Sequence, residues 1–162
     1  IVLSGVAILN KPKENKEYLR IHIRANSNSE LDQAVKYKVK NAVVEFLTPK
    51  IAECNTFDKA INLLTDNLDG IEKVADNVLK KEGFLYQSKA SVKNEKFPTR
   101  KYDDLVLDGG FYDALIIELG SGKGDNWWCV VYPPLCFTDT QNITYKSLLQ
   151  KVIQDFISKE KK

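Results

Sequence analysis

Two kinds of apolar spacing divide this chain. Residues Tyr18–Ala25 (YLRIHIRA) alternate, with Leu19, Ile21 and Ile23 on one side and Arg20, His22 and Arg24 on the other, the period of a half-buried strand. Asn26–Glu30 follows with turn and cap chemistry, and both Ser27 with Glu30 and Ser29 with Asp32 fit a capping box. Leu31, Ala34, Val35, Val39, Ala42, Val43, Phe46 and Leu47 then recur at helical spacing, which predicts a helix from Leu31 to Leu47, with Pro49 ending it or opening the next turn. Thr56 is an N-cap for a second helical stretch (Ala60, Leu63, Leu64, Leu68, then Ile71, Val74, Ala75, Val78, Leu79), which Asp69-Gly70 is expected to break in two. Gly83 sits where a C′ glycine belongs, after Lys80 and Lys81.

Beyond Gly83 the period returns to two. Phe84–Val92 reads as a strand, with Phe97-Pro98 closing its segment, and Asp104–Leu107 as a short strand before the turn at Asp108-Gly109-Gly110. Phe111–Leu119 is apolar on nearly both faces, which places it centrally in a sheet. The loop Gly120–Asn126 leads into Trp127–Tyr132, and its shortness favours a hairpin between those two strands. Thr144–Ile157 closes the pattern as an amphipathic helix. The order implies an α+β fold, with a mostly antiparallel sheet of about four to five strands packed against about three to four helices.

Composition narrows the classes of function. The chain has 162 residues, 43% hydrophobic and 28% charged, as expected of one folded domain and not of a disordered or membrane-embedded chain. A formal net charge of +2 gives no pull toward nucleic acid. One His and three Cys leave little for a metal site or a His-based triad. The apolar run Ile1–Leu9 spans only about 14 Å as a helix, short of the hydrocarbon layer. It reads either as the end of a signal peptide or membrane anchor, or as a segment packed on the core. Asn10–Glu17 has the makeup of a polar linker. Residues 1–17 are thus expected to be an export or anchor remnant with its linker, and residues 18–162 a single domain.

Several constellations carry candidate chemistry, each with a plainer reading beside it. Gly120-Ser121-Gly122-Lys123-Gly124 lacks the GxxxxGK[ST] of a phosphate loop and precedes a strand, so a glycine turn with positive φ is the better account. His22 has the chemistry of a general base, but no nucleophile can be assigned to it, and a structural histidine is the plainer reading. Asp103, Asp104 and Asp108 have the carboxylates of a Ca²⁺ or acid–base site but lack its spacing, and a solvated turn is the plainer reading. Lys89, Lys93, Lys96, Arg100 and Lys101 make a weak patch for anionic lipid or an acidic partner, or simply a solvated strand and loop. Cys129 and Cys136 are spaced wrongly for a CxxC site; they suit either a small disulfide loop bent by Pro133-Pro134 or two buried thiols. Cys54 is left unpaired. Trp127 and Trp128, adjacent on a strand, must point to opposite faces, so one of them is a candidate interface anchor alongside Tyr132 and Phe137.

Three segments together resemble the stage II sporulation protein R family of endospore-forming bacteria. They are Arg20–Lys40 (RIHIRANSNSELDQAVKYKVK), the Phe97-Pro98-x-Arg100-x-Tyr102 stretch, and Gly109–Phe137 with Asn126-Trp127-Trp128-Cys129 and Pro133-Pro134-Leu135-Cys136-Phe137. The resemblance implies a signalling protein made in the forespore and exported toward the space between the forespore and mother-cell membranes. There such proteins trigger a membrane-embedded aspartic protease of the mother cell, which removes the pro-sequence of the early mother-cell sigma factor. It implies a ligand of a protease, with no catalytic residues, cofactor, metal, nucleic acid or small-molecule substrate of its own. It also strengthens the disulfide reading of Cys129 and Cys136, because an extracytoplasmic place is oxidising. The expected partner-binding surface is Gly122, Lys123, Asn126, Trp127, Trp128, Tyr132, Pro133, Pro134 and Phe137, with Arg20, His22, Arg24 and Asn26 as the polar strand-to-helix signature. Two other classes stay open on the residues alone: an extracytoplasmic hydrolase of cell-wall material, and a structural envelope module.

Overall fold

A computed structural model describes residues 17–162. The expectation of an apolar remnant and linker falls on residues 1–16 and so lies outside the described residues, apart from Glu17. The elements run β1 (Leu19–Arg24), α1 (Glu30–Ile51), α2 (Phe57–Asp66), α3 (Leu68–Lys81), β2 (Ser88–Phe97), β3 (Arg100–Tyr102), β4 (Leu105–Leu107), β5 (Gly110–Leu119), β6 (Asn126–Tyr132) and α4 (Ile143–Glu160). Four strands form one sheet in the order β2-β5-β1-β6, and β3 and β4 form a separate two-stranded ribbon. The fold is α+β, as the pattern implied.

The helices start where the chemistry places caps. Ser29 Oγ accepts from Asp32 N–H at 3.1 Å, Thr56 Oγ1 accepts from Lys59 N–H at 3.2 Å, and Asn142 Oδ1 accepts from Thr144 N–H at 3.0 Å. Pro49 lies inside α1, near its end. The break between α2 and α3 falls at Asn67 and not at Asp69-Gly70. Gly70 has another use: a Cβ there would come within 2.9 Å of Phe46 Cζ, so the missing side chain lets α3 approach α1. Gly83 ends α3 with φ +84°, while Phe84 N–H donates back to Leu79 C=O at 2.9 Å.

Leu19, Ile21 and Ile23 share one sheet face with Leu115, Ile117 and Leu119 of β5 and are fully buried. The apolar stripes of the helices meet them: Val35, Val39, Val43 and Leu47 from α1, Leu64 from α2, and Ile71, Ala75 and Leu79 from α3. At roughly 1.5–3 kcal/mol per fully buried aliphatic side chain, this layer supplies most of the driving force for folding.

Three expectations are corrected. First, β5 and β6 do not form a hairpin. β1 lies between them, parallel to β5 and antiparallel to β6, so the sheet is mixed. The loop after β5 is long enough to step across one intervening strand, a span of about 10 Å. Second, β1 is not half wet. Arg20 and His22 have no exposed surface, because β1 is an interior strand and an aromatic layer covers its polar side. Third, β2 begins at Ser88 and runs to Phe97; residues 84–87 precede it, and Tyr86 turns away to bond Asp32.

Candidate functional site

The polar side of β1 is the first place where chemistry gathers. Alternation places Arg20, His22 and Arg24 on one face, with Glu95 and Phe97 of β2, Tyr112 and Glu118 of β5, and Trp128 of β6. Arg20 packs against two rings that meet edge to face: its guanidinium carbon lies 4.5 Å from the Phe97 centroid and 4.7 Å from that of Tyr112. Its Nη2 donates to Tyr102 Oη at 2.9 Å, while Nη1 is buried with no hydrogen-bond partner.

His22 sits one pleat further along. Its ring stacks on Trp128, and Phe97 tilts against it at 5.3 Å. Nε2 lies 3.0 Å from Glu95 Oε2, within ion-pair range but poorly aligned for a hydrogen bond, and Nδ1 is buried without a partner. Arg24 clamps both acids nearby, Glu95 at 2.6 Å and Glu118 at 2.8 Å. Burial pushes the His22 imidazole down to about 4, and the Arg24 charge adds to that; Glu95 opposes both. The ring is therefore neutral at physiological pH. Outside it, Arg100 of β3 lies 5.4 Å from the Trp128 ring, so guanidinium, indole and imidazole form one stack running inward from the surface.

A second cluster ties β1 to α1. Asp32 accepts from Ser27 Oγ at 2.5 Å, from Tyr86 Oη at 2.6 Å and from Asn26 Nδ2 at 2.9 Å. Burial alone would raise the Asp32 carboxyl, but these hydrogen bonds together hold it below its ordinary value. The glycine loop is fastened to the same turn. Ser121 N–H donates to Asn26 Oδ1 at 2.9 Å, Gly124 N–H donates to Ala25 C=O at 2.8 Å, and the buried Lys36 donates to Asp125 C=O at 3.0 Å. Gly120 and Gly122 have φ of +56° and +63°, and a Cβ on Gly124 would run into the Ser27 backbone. Asn26 therefore acts as a local fastener, and the glycines let the crossing loop lie flat on it.

The third region is the segment from β6 to α4. Cys129 and Cys136 are paired as a disulfide, with Cα atoms 6.3 Å apart, and Cys54 is a buried free thiol. Burial pushes that thiol's pKa up, so it is less ionised than an ordinary cysteine. The Tyr132–Pro133 peptide is cis. A cavity of about 540 Å³ lies between α1 and this segment, with Val44, Thr48, Cys136, Phe137 and Tyr145 among its walls.

The expected surface thus divides. Tyr132, Pro133, Pro134 and Phe137 are buried, so their side chains are packing groups; the Tyr132 hydroxyl, for example, donates to Asn55 C=O at 3.1 Å. Lys123 is exposed, and Gly122, Asn126, Trp127 and Trp128 are half-buried. The two tryptophans do face opposite ways: Trp127 meets Lys40 of α1, and Trp128 meets His22. Glu95, Phe97, Arg100, Tyr102 and Tyr112 join the polar face without having been singled out individually as site residues. Phe97, Arg100 and Tyr102 are marked by the Phe97-Pro98-x-Arg100-x-Tyr102 stretch, Arg100 also by the basic patch, and Tyr112 only by lying within Gly109–Phe137; Glu95 is the one acid in the lysine-rich run from residue 87 to 101.

These features define an α+β domain with a mixed sheet, charge buried among aromatics on one sheet face, and a disulfide-closed loop after its edge strand. The chain belongs to the stage II sporulation protein R family, whose sequence profile matches residues 15–142. A relative named Stage II sporulation protein R, from Bacillus subtilis (strain 168), is 32% identical over 154 residues, covering 89% of this chain and 69% of that protein. No solved structure matches the chain.

Proposed function

We propose that this chain is an exported sporulation signal that activates a membrane-embedded aspartic protease, which then processes the precursor of the early mother-cell sigma factor. Membership of the stage II sporulation protein R family supports the setting. The Cys129–Cys136 disulfide supports an oxidising place such as the space between the forespore and mother-cell membranes. Among the described residues no helix is long and apolar enough to cross a membrane, so the domain itself would act from the aqueous side.

The observation that carries the reading is the half-exposed Trp128 on edge strand β6, held between Arg100 and His22. An indole fixed by stacking loses little entropy when a partner closes over it, which is what an interface anchor needs. Gly122, Lys123 and Asn126 lie at the same strand start and would complete the contact, with Trp127 reaching it only from the opposite sheet face. Docking there would shift the protease toward its active state by binding that state more tightly than the inactive one. The domain transforms nothing in this scheme and needs no cofactor. His22 is fully buried beneath Glu95, Phe97 and Trp128, out of reach of a polymeric substrate, which weighs against a wall-cleaving hydrolase built on it.

The test is Trp128→Ala in sporulating cells, with folding of the purified variant checked by circular dichroism. Processing of the sigma-factor precursor should be abolished. Full processing by a folded variant would remove this surface from the account.

A further inference from the structure

The open edge of the sheet opposite β6 has its own pattern. β2 pairs with β5 in register from Ser88↔Leu119 to Phe97↔Gly110 and has no other strand beside it among the described residues. Its outward backbone groups can be identified. Ser88 N–H donates to Asp76 Oδ1 at 2.7 Å and Ala90 N–H to Glu72 Oε1 at 2.8 Å, both on α3. These two amides therefore point away from β5. Antiparallel strands alternate paired and outward residues, so Val92, Asn94 and Lys96 point outward too. No carboxylate of α3 reaches them, and Lys93, Asn94 and Lys96 are exposed. One half of the edge is closed by side chains of α3, and the other, about 14 Å long, is open.

We infer that the open edge from Val92 to Lys96 accepts an extended, acidic peptide segment of a partner protein as an added strand. Three outward residues offer alternating donors and acceptors to such a segment. The charge selects its composition. Lys89, Lys93 and Lys96 lie on this strand and Lys101 just after it, while Glu95 is engaged by His22, Arg24 and, at 3.6 Å, Lys93. Edge lysines also disfavour a second copy of this chain, since self-pairing would set lysines against lysines. An acidic strand relieves that repulsion; a neutral or basic one does not. The inference concerns how a partner is gripped, and it stands apart from the role of Trp128 on the far edge.

Amide hydrogen exchange on the described domain within the full chain tests it. In the free protein Val92, Asn94 and Lys96 should exchange fast, and Ser88 and Ala90 slowly. The probe is the capped hexapeptide Glu-Val-Glu-Val-Glu-Val at millimolar concentration, with its Lys-Val counterpart and anionic phosphatidylglycerol vesicles as competing ligands. The acidic peptide should slow exchange at Val92, Asn94 and Lys96 at least tenfold. Asn94→Pro, which removes one outward donor at an edge position, should weaken its binding about tenfold. The double change Lys89→Glu, Lys96→Glu alters only exposed side chains outside the Glu95 cluster, and should transfer preference to the basic peptide. No protection from the acidic peptide, equal binding of both peptides, protection by vesicles alone, or a concentration-dependent dimer shielding the same amides would each overturn the inference.

Discussion

The imidazole of His22 lies flat against the indole of Trp128, their centroids 4.8 Å apart and their planes 13° from parallel. His22 is fully buried, while Trp128 keeps part of its surface open. The pair thus sets a buried titratable ring directly against a half-exposed indole.

Burial of His22 makes stability fall in acid. The folded His22 has a pKa near 4 against 6.5 for a free histidine, so the unfolded chain takes up the proton first. The contribution is complete above pH 6.5 and is lost as pH drops toward 4, amounting to roughly 3 kcal/mol. Urea unfolding between pH 7.5 and 4.5 should show this loss in the parent chain and a flatter profile in His22→Asn. Equal slopes for the two would contradict the assignment.

The Asp32 cluster should behave as one unit. Tyr86→Phe removes one donor from a carboxylate that keeps others, and should cost about 1–2 kcal/mol. Asp32→Ala strands Tyr86, Ser27 and Asn26 together and removes a first-turn acid from α1, so it should cost more than Tyr86→Phe and Ser27→Ala each do. Denaturant midpoints of the three variants check the order.

Glycine substitutions should rank by geometry. Gly124→Ala drives a Cβ into the Ser27 backbone and should destabilise by about 2–3 kcal/mol. Gly83→Ala faces open space but keeps a positive φ, and should cost about 1 kcal/mol. Gly110→Ala meets nothing within 4 Å and should be nearly silent in thermal melts.

Reduction of the Cys129–Cys136 bond opens a loop with a sequence separation of 7 and should cost about 2.5 kcal/mol by chain entropy. Melting with and without a thiol reductant measures it. The Cys129→Ala/Cys136→Ala double variant should match the reduced protein and lose all sensitivity to reductant. A reductant effect surviving in that variant would contradict the assignment.

Local signals were readable where a residue's role depends on its sequence neighbours. The caps at Ser29 and Thr56, the C′ glycine at Gly83 and the central position of Phe111–Leu119 all follow from spacing and local chemistry. The placement of β1 between β5 and β6 was not readable, because loop length alone does not distinguish pairing from stepping over one strand. Nor was the burial of Arg20 and His22. Alternation marks them as facing away from the aliphatic side, but their cover comes from Phe97, Tyr112 and Trp128, residues distant in sequence. Tyr132 and Phe137 read as interface aromatics for the converse reason: a ring's chemistry does not say whether its surface ends inside or outside. Trp127 and Trp128 could be given opposite faces but not which face each takes, and the stack of Trp128 with His22 and Arg100 exists only in the folded chain.

The central claim is that this domain acts by contact with a protease and performs no reaction itself. Reconstitution tests it directly: the folded, oxidised domain is added to membranes holding the aspartic protease and its sigma-factor precursor, and precursor cleavage is timed. The account predicts that cleavage accelerates with added domain and that Trp128→Ala abolishes the acceleration. Cleavage at the same rate with and without the domain would contradict it.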